Sequence, residues 1–204
     1  MPSRNTIRFD ADESYYHVYA RGASKQPVFL EVVDYVYFIN LFKRYLSDKE
    51  IIRKSGGVYP NYHVDIKLLA YCLMGNHFHL LVYQKQKGSL SEFMKSLISS
   101  YCRYFNLKYK RSGSLFENRY KSSIILQDNY LQRISRYIHL NPRNWKRYPY
   151  SSINYYRKGN EPSWLSTDQV LEEYTNRASY INFVEDYEEY KEMLTDIKHE
   201  LADT

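Results

Sequence analysis

Ile66-Lys67-Leu68-Leu69-Ala70-Tyr71-Cys72-Leu73-Met74-Gly75-Asn76-His77-Phe78-His79-Leu80-Leu81-Val82-Tyr83 is two apolar runs broken at a short polar turn. The runs predict strands over residues 64–73 and 77–84, joined at Met74-Gly75-Asn76 as a tight antiparallel hairpin. Side chains alternate faces along a strand, so His77 and His79 project together and Phe78 is buried on the other face. Two adjacent imidazoles suit a divalent cation. They are too few alone, because octahedral Mg2+ or Mn2+ needs further oxygen or nitrogen donors. His17, Asn106, a tyrosine or a substrate phosphate are the candidates.

Upstream, residues 14–20 (Ser-Tyr-Tyr-His-Val-Tyr-Ala) read as a strand with Tyr15, His17 and Tyr19 on one face, followed by an Arg21-Gly22 turn. Residues 31–47 carry Val32, Tyr35, Val36, Ile39, Phe42 and Leu46 at helical spacing. Downstream, residues 89–109 predict a second helix with Leu90, Phe93, Met94, Leu97, Ile98, Tyr101 and Phe105 as its apolar stripe. Ser89 or Ser91 is the expected cap, and Glu92 completes a capping box with Ser89. Residues 122–127 are a short strand. Residues 129–139 are a third helix, stopped by Asn141-Pro142. Helices are also expected over 166–175 and 179–200. The plan is α+β: a ferredoxin-like β-α-β-β-α-β antiparallel sheet with helices on one face, plus C-terminal helices. In that plan the strand bearing His17 neighbours the strand bearing the histidine pair.

The 204 residues fit a domain over 1–152 with an acidic helical C-terminal extension over 153–204. Residues 1–160 hold 26 Lys and Arg against 11 Asp and Glu, a net +15; residues 161–204 hold 3 against 12, a net −9. A basic body of this kind expects a polyanionic partner. The 24 tyrosines supply rings able to stack on bases, although most are expected to fill the core. Cys72 and Cys102 are the only cysteines, which excludes a disulfide framework and fits a reducing cytoplasm. Met1-Pro2-Ser3-Arg4-Asn5 lacks the apolar core of a signal peptide, and no apolar run reaches the roughly 20 residues of a membrane span.

Two further segments carry chemistry. Tyr101-Cys102-Arg103-Tyr104-Phe105-Asn106 places Tyr101 on the apolar stripe of its helix, facing the sheet. A phenol has a pKa near 10 and is a poor nucleophile at neutral pH. A neighbouring cation that polarises a phosphate makes phenol attack feasible. The second segment is basic and aromatic. Arg103, Lys108, Lys110, Arg111, Arg119 and Lys121 are interleaved with Tyr104, Tyr109, Phe116 and Tyr120, with Arg21 and Arg143 as outlying cations. Positive charge beside flat rings is how single strands are held.

Five segments in order resemble the single-tyrosine HUH (His-hydrophobic-His) transposases, specifically their REP-associated branch. They are Tyr16–Gly22, Leu73–Leu81, Tyr101–Asn106, Gly113–Ser122 and Tyr137–Pro142. The resemblance covers roughly residues 14–152. It implies a ferredoxin-like sheet and Mg2+- or Mn2+-dependent cleavage and strand transfer of single-stranded DNA at hairpins. The tyrosine would form a 5′-phosphotyrosine and release a 3′-hydroxyl. Carried over by position, His77 and His79 are metal ligands and Tyr101 is the nucleophile, with Tyr104 as the competing assignment. The family takes a third polar ligand from the tyrosine helix, typically one turn later. Here that position is Phe105, which leaves the adjacent Asn106, or His17, as the donor. The alternative reading is a noncatalytic nucleic-acid-binding protein on the same fold. Either a monomer or a homodimer fits the resemblance.

Overall fold

The computed structural model describes residues 10–126 and 128–186. Its sheet contains β1 (Ser14–Arg21), β2 (Ile66–Met74), β3 (His77–Gln84) and β4 (Lys121–Ile125) in the order β2-β3-β1-β4. Every neighbouring pair is antiparallel. With α1 (Val32–Leu46) and α2 (Ser89–Lys108) as the connections, this is the β-α-β-β-α-β plan read from the sequence.

The alternation of β1 and β3 decides what each face carries. Tyr16, Val18, Ala20, Phe78, Leu80 and Val82 join one core with Phe38, Leu41 and Phe42 of α1 and Phe93, Leu97, Tyr101 and Phe105 of α2. Helices α1 and α2 therefore cover the Phe78 face. The opposite face is not left open. It packs on α3 (Asp128–Leu140), α4 (Ile153–Lys158), α5 (Asp168–Leu171) and α6 (Arg177–Glu185), through Leu131, Ile134, Ile138, Ile153, Tyr156, Val170, Tyr180 and Val184. A register shift between Leu68 and Ala70 turns Leu69 and Ala70 both into this second core. Residues 153–186 thus share a core with the sheet. Residues 187–204, about the last third of the expected acidic extension and most of the helix expected over 179–200, lie outside the described residues, as do residues 1–9. No described helix is long and apolar enough to cross a membrane.

The hairpin turn at Gly75-Asn76 is held from outside. The Gly75 carbonyl accepts from Val28 N–H and Phe29 N–H, and the Asn76 carbonyl accepts from Gly22 N–H. Gly22 is required here, because a Cβ would collide with the Gln26 carbonyl. Helix α2 starts differently from the expected Ser cap. Gly88 takes the left-handed conformation at φ 91°, and Gln84 Oε1 accepts the Leu90 N–H at 2.7 Å.

The α1–α2 pair is fastened by one buried carboxylate. Asp34 accepts from Leu30 N–H, Glu31 N–H, Tyr104 Oη and Tyr109 Oη, and pairs with Lys108 Nζ at 2.7 Å. Burial alone would raise its pKa; Lys108, the Tyr109 hydroxyl and the two amides outweigh that and hold it below the usual value. Asp34→Ala is expected to destabilise by about 3 kcal/mol, because four protein donors lose their acceptor while Lys108 stays partly hydrated. Since the folded pKa is the lower one, this stabilisation is full above about pH 4 and drains away as pH falls through the folded value. Urea unfolding of both proteins at pH 7 and pH 3 checks this. The difference should shrink at the lower pH.

Candidate functional site

The histidine pair faces α3, away from α2. Cross-strand pairing sets Arg21 against His77 and Tyr19 against His79, so β1 and β3 present Tyr19, Arg21, His77 and His79 together. A cavity of about 480 Å³ opens there, lined also by Lys121 at the start of β4 and by Tyr137 and Asn141 at the end of α3. Asn141 follows Tyr137 by four positions, just past the last residue of α3, and both side chains line the cavity. Pro142 ends the helix at that point.

The ring nitrogens reveal what the pair is arranged to do. His77 Nδ1 lies 2.6 Å from Asn76 Oδ1. In the tautomer that donates Nδ1–H to this oxygen, Nε2 is a lone pair; in the other, Nε2–H donates to Asn141 Oδ1. Facing that lone pair at 3.2 Å is Asn141 Oδ1, another acceptor. In the first tautomer a cation held between the two atoms would satisfy both. Cis donors at about 2.1 Å from an octahedral ion lie about 3 Å apart, close to the separation observed. His79 turns Nδ1 to His17 Nε2 at 2.9 Å, which leaves Nε2 for the cavity that His79 lines. Burial lowers the pKa of all three imidazoles; Arg21 adds to this at His77 and His79, and His17 falls to about 4. They are neutral at neutral pH, the state in which imidazole binds metal. Among the described residues there is no cluster of three or more His, Cys, Asp or Glu side chains placed to hold a metal. The donor set that fits a hard cation here is His77, His79 and the Asn141 amide, completed by oxygen from water or substrate.

Tyr137 joins this group. Its ring stands edge-on to His79 with centroids 5.4 Å apart and to His17 at 5.8 Å. Lys121 Nζ lies 5.9 Å from the centre of the Tyr19 ring. Together with Arg21 it supplies positive charge on the same cavity.

Three residues assigned from the sequence lie elsewhere. Tyr101 faces the sheet as expected, but it faces the Phe78 side. It is fully buried, packs on Phe29 and Phe38, and donates its hydroxyl to the Val28 carbonyl at 2.5 Å. Burial, reinforced by Asp34, pushes its pKa far up. The sheet separates it from the imidazoles, so the expected meeting of Tyr101 with the pair does not occur. Tyr104 stacks on Tyr37 at 3.8 Å and donates to Asp34, also on that side. Asn106, on α2, donates to the Gly113 carbonyl at 3.1 Å and does not approach the histidines. His17, in contrast, reaches the pair, but as the partner of a ring nitrogen.

The expected DNA-binding cations divide similarly. Arg21 and Lys121 line the cavity, and Arg119 lines an adjoining groove with Lys95 and Tyr120. Arg143 lines a separate recess with Trp145 and Lys146. Arg103, Lys110 and Arg111 are exposed on α2 or the turn after it, across the sheet from the histidines. Lys108 is committed to Asp34 and Glu31. Sequence reasoning passed over Tyr137 and Asn141 as a working pair, although the segment was among those that carried the resemblance. The available signal was a tyrosine followed one turn later by an amide and then a helix-ending proline.

Comparison with known proteins follows this geometry. Residues 58–141 match the family model described as transposase, IS200-like. The span runs from the approach to β2 to Asn141 and contains His77, His79 and Tyr137. Among solved structures, the chain is similar to a REP-associated tyrosine transposase bound to a REP hairpin. The TM-score is 0.52 at 14% identity, covering 78% of this chain and 89% of that one. The shared fold and the family segment both agree with the resemblance read from the sequence. No curated protein matches the sequence.

Proposed function

We propose that the protein cleaves and rejoins single-stranded DNA at hairpins, with Tyr137 as the nucleophile and His77, His79 and Asn141 as donors to Mg2+ or Mn2+. The observation that carries this reading is the convergence of a phenol, an amide oxygen and two imidazoles on one cationic cavity. The family expectation of a polar ligand one turn after the tyrosine is met by Tyr137 and Asn141, where Tyr101 and Phe105 fail it. When bound, a divalent cation would polarise the scissile phosphate and stabilise the charge developing on it.

The chain's own residues do the rest. Helix α3 presents the Tyr137 phenol to the phosphate, and Arg21 and Lys121 attract and orient the backbone of the strand. The Tyr137 oxygen forms a bond to phosphorus as the bond to the 3′ oxygen breaks. The phenol loses a proton and the departing 3′ oxygen gains one, giving a 5′-phosphotyrosine and a 3′-hydroxyl. Attack by another 3′-hydroxyl reverses the exchange, so no ATP is consumed. All four site residues come from one chain, so a monomer can carry out the chemistry.

The test is incubation with single-stranded hairpin DNA and Mn2+, followed by a denaturing gel. A covalent protein–DNA band is expected, and chelator should prevent it. Hairpin binding with neither adduct nor cleavage would favour the noncatalytic alternative. Cleavage without adduct would instead point to attack by water.

A further inference from the structure

His17 has no assigned part in the chemistry above, yet it is almost wholly buried, 1% exposed, at the centre of the sheet. It lies on β1, between β3 and β4, opposite Leu81 and Ser123. Its ring lies nearly coplanar with that of His79, the planes inclined by 14° and the centroids 5.1 Å apart. Its one hydrogen bond is Nε2 to His79 Nδ1 at 2.9 Å, while its own Nδ1 is buried without a partner. A polar side chain this deep, with its single bond spent on a candidate ligand, calls for an explanation.

We propose that His17 is a positioning residue: its Nε2 accepts the His79 Nδ1–H and so fixes His79 in the tautomer whose Nε2 lone pair serves the cavity. The inference rests on reading His77, His79 and Asn141 as cation donors. Two senses of the bond are available. If His17 donates, His79 must carry its proton on Nε2, and a protonated nitrogen cannot bind a cation. If His79 donates, Nε2 is free to bind. Only the second sense is compatible with the site. His77 would follow the same rule with a different partner, Asn76 Oδ1, which lies 2.6 Å from its Nδ1 and would accept an Nδ1–H. The two ligands would then be set by two acceptors, one amide and one imidazole. Such partners orient ligand rings and raise their basicity, and their loss typically weakens metal affinity by about 10–100-fold.

The experiment measures Mn2+ affinity directly, by electron paramagnetic resonance titration of wild type, H17F and H17Q. Phe keeps a ring of similar size and no acceptor; Gln restores an acceptor without the ring. The expected result is a dissociation constant raised about 10–100-fold in H17F and largely recovered in H17Q. Cation-free hairpin binding and circular dichroism should match wild type in both variants, which separates positioning from misfolding. Nitrogen-15 spectra of Mg2+-saturated wild type should place the His79 proton on Nδ1. Equal Mn2+ affinity in wild type and H17F, or a proton on His79 Nε2 in the Mg2+ form, would overturn the role of His17 alone. Absence of Mn2+ binding by wild type would overturn the cation site and this inference together.

Discussion

Tyr137→Phe should abolish the covalent protein–DNA product, by about 10^4-fold or more in rate, while hairpin binding changes little. Removing the attacking oxygen deletes the reacting atom itself, and losses of nucleophiles are of this size. The ring, which is what packs edge-on to His17 and His79, is retained. Tyr101→Phe should behave oppositely. Its hydroxyl serves only the buried Val28 carbonyl, so the variant should keep adduct formation and lose about 1–2 kcal/mol of stability. Tyr19→Phe is the necessary control, because Tyr19 is another phenol lining the cavity. It should keep the adduct too. Gel quantification of adduct over time, with a thermal melt of each variant, separates the three outcomes. Loss of adduct in Tyr101→Phe at unchanged melting temperature would contradict the account.

The second large effect is expected at the imidazoles. His77→Ala or His79→Ala should remove cleavage to the level seen with chelator, without a comparable loss of hairpin affinity. On the proposed function, binding would be carried mainly by cations such as Arg21 and Lys121 acting on phosphates, whereas burial lowers the pKa of both histidines and favours their neutral form. Of the two, His79→Ala should cost more stability. His79 is 6% exposed and its removal strands the buried His17 nitrogen, whereas His77 is only partly buried. Equal loss of binding and cleavage in both variants would mean that the histidines support structure alone. Fluorescence anisotropy without added metal, alongside the cleavage gel, makes the comparison.

The sheet was legible because its signals are local. The break at Met74-Gly75-Asn76, the alternation around Phe78 and the stripe of α2 each lie within a few residues, whereas α1 turns Phe38, Leu41, Phe42 and Tyr45 inward and leaves Val32 and Val36 of its expected stripe exposed. The placement of His17 beside the pair followed from strand order. Tyr101 lies across the sheet from the histidines because its side depends on which face a helix covers. Once Phe78 is core and α1 and α2 cover its side, the histidines must point away from both helices, and no residue of α2 can reach them. That inference was available from the alternation alone. What the sequence could not supply was the destination of α3. Its apolar residues Leu131, Ile134 and Ile138 would fit either face, and only packing against Leu81 and Ala70 decides. The capping of α2 by Gln84 was hidden for a similar reason, since the acceptor comes from the end of β3 rather than from the helix's own first turn.

The most direct measurement is the identity of the residue that carries the DNA. The adduct, digested with nuclease and protease, leaves a nucleotide on one peptide that tandem mass spectrometry can locate. The account requires it on Tyr137. A nucleotide on Tyr101, across the sheet from the histidine pair, or on Tyr19 would contradict it.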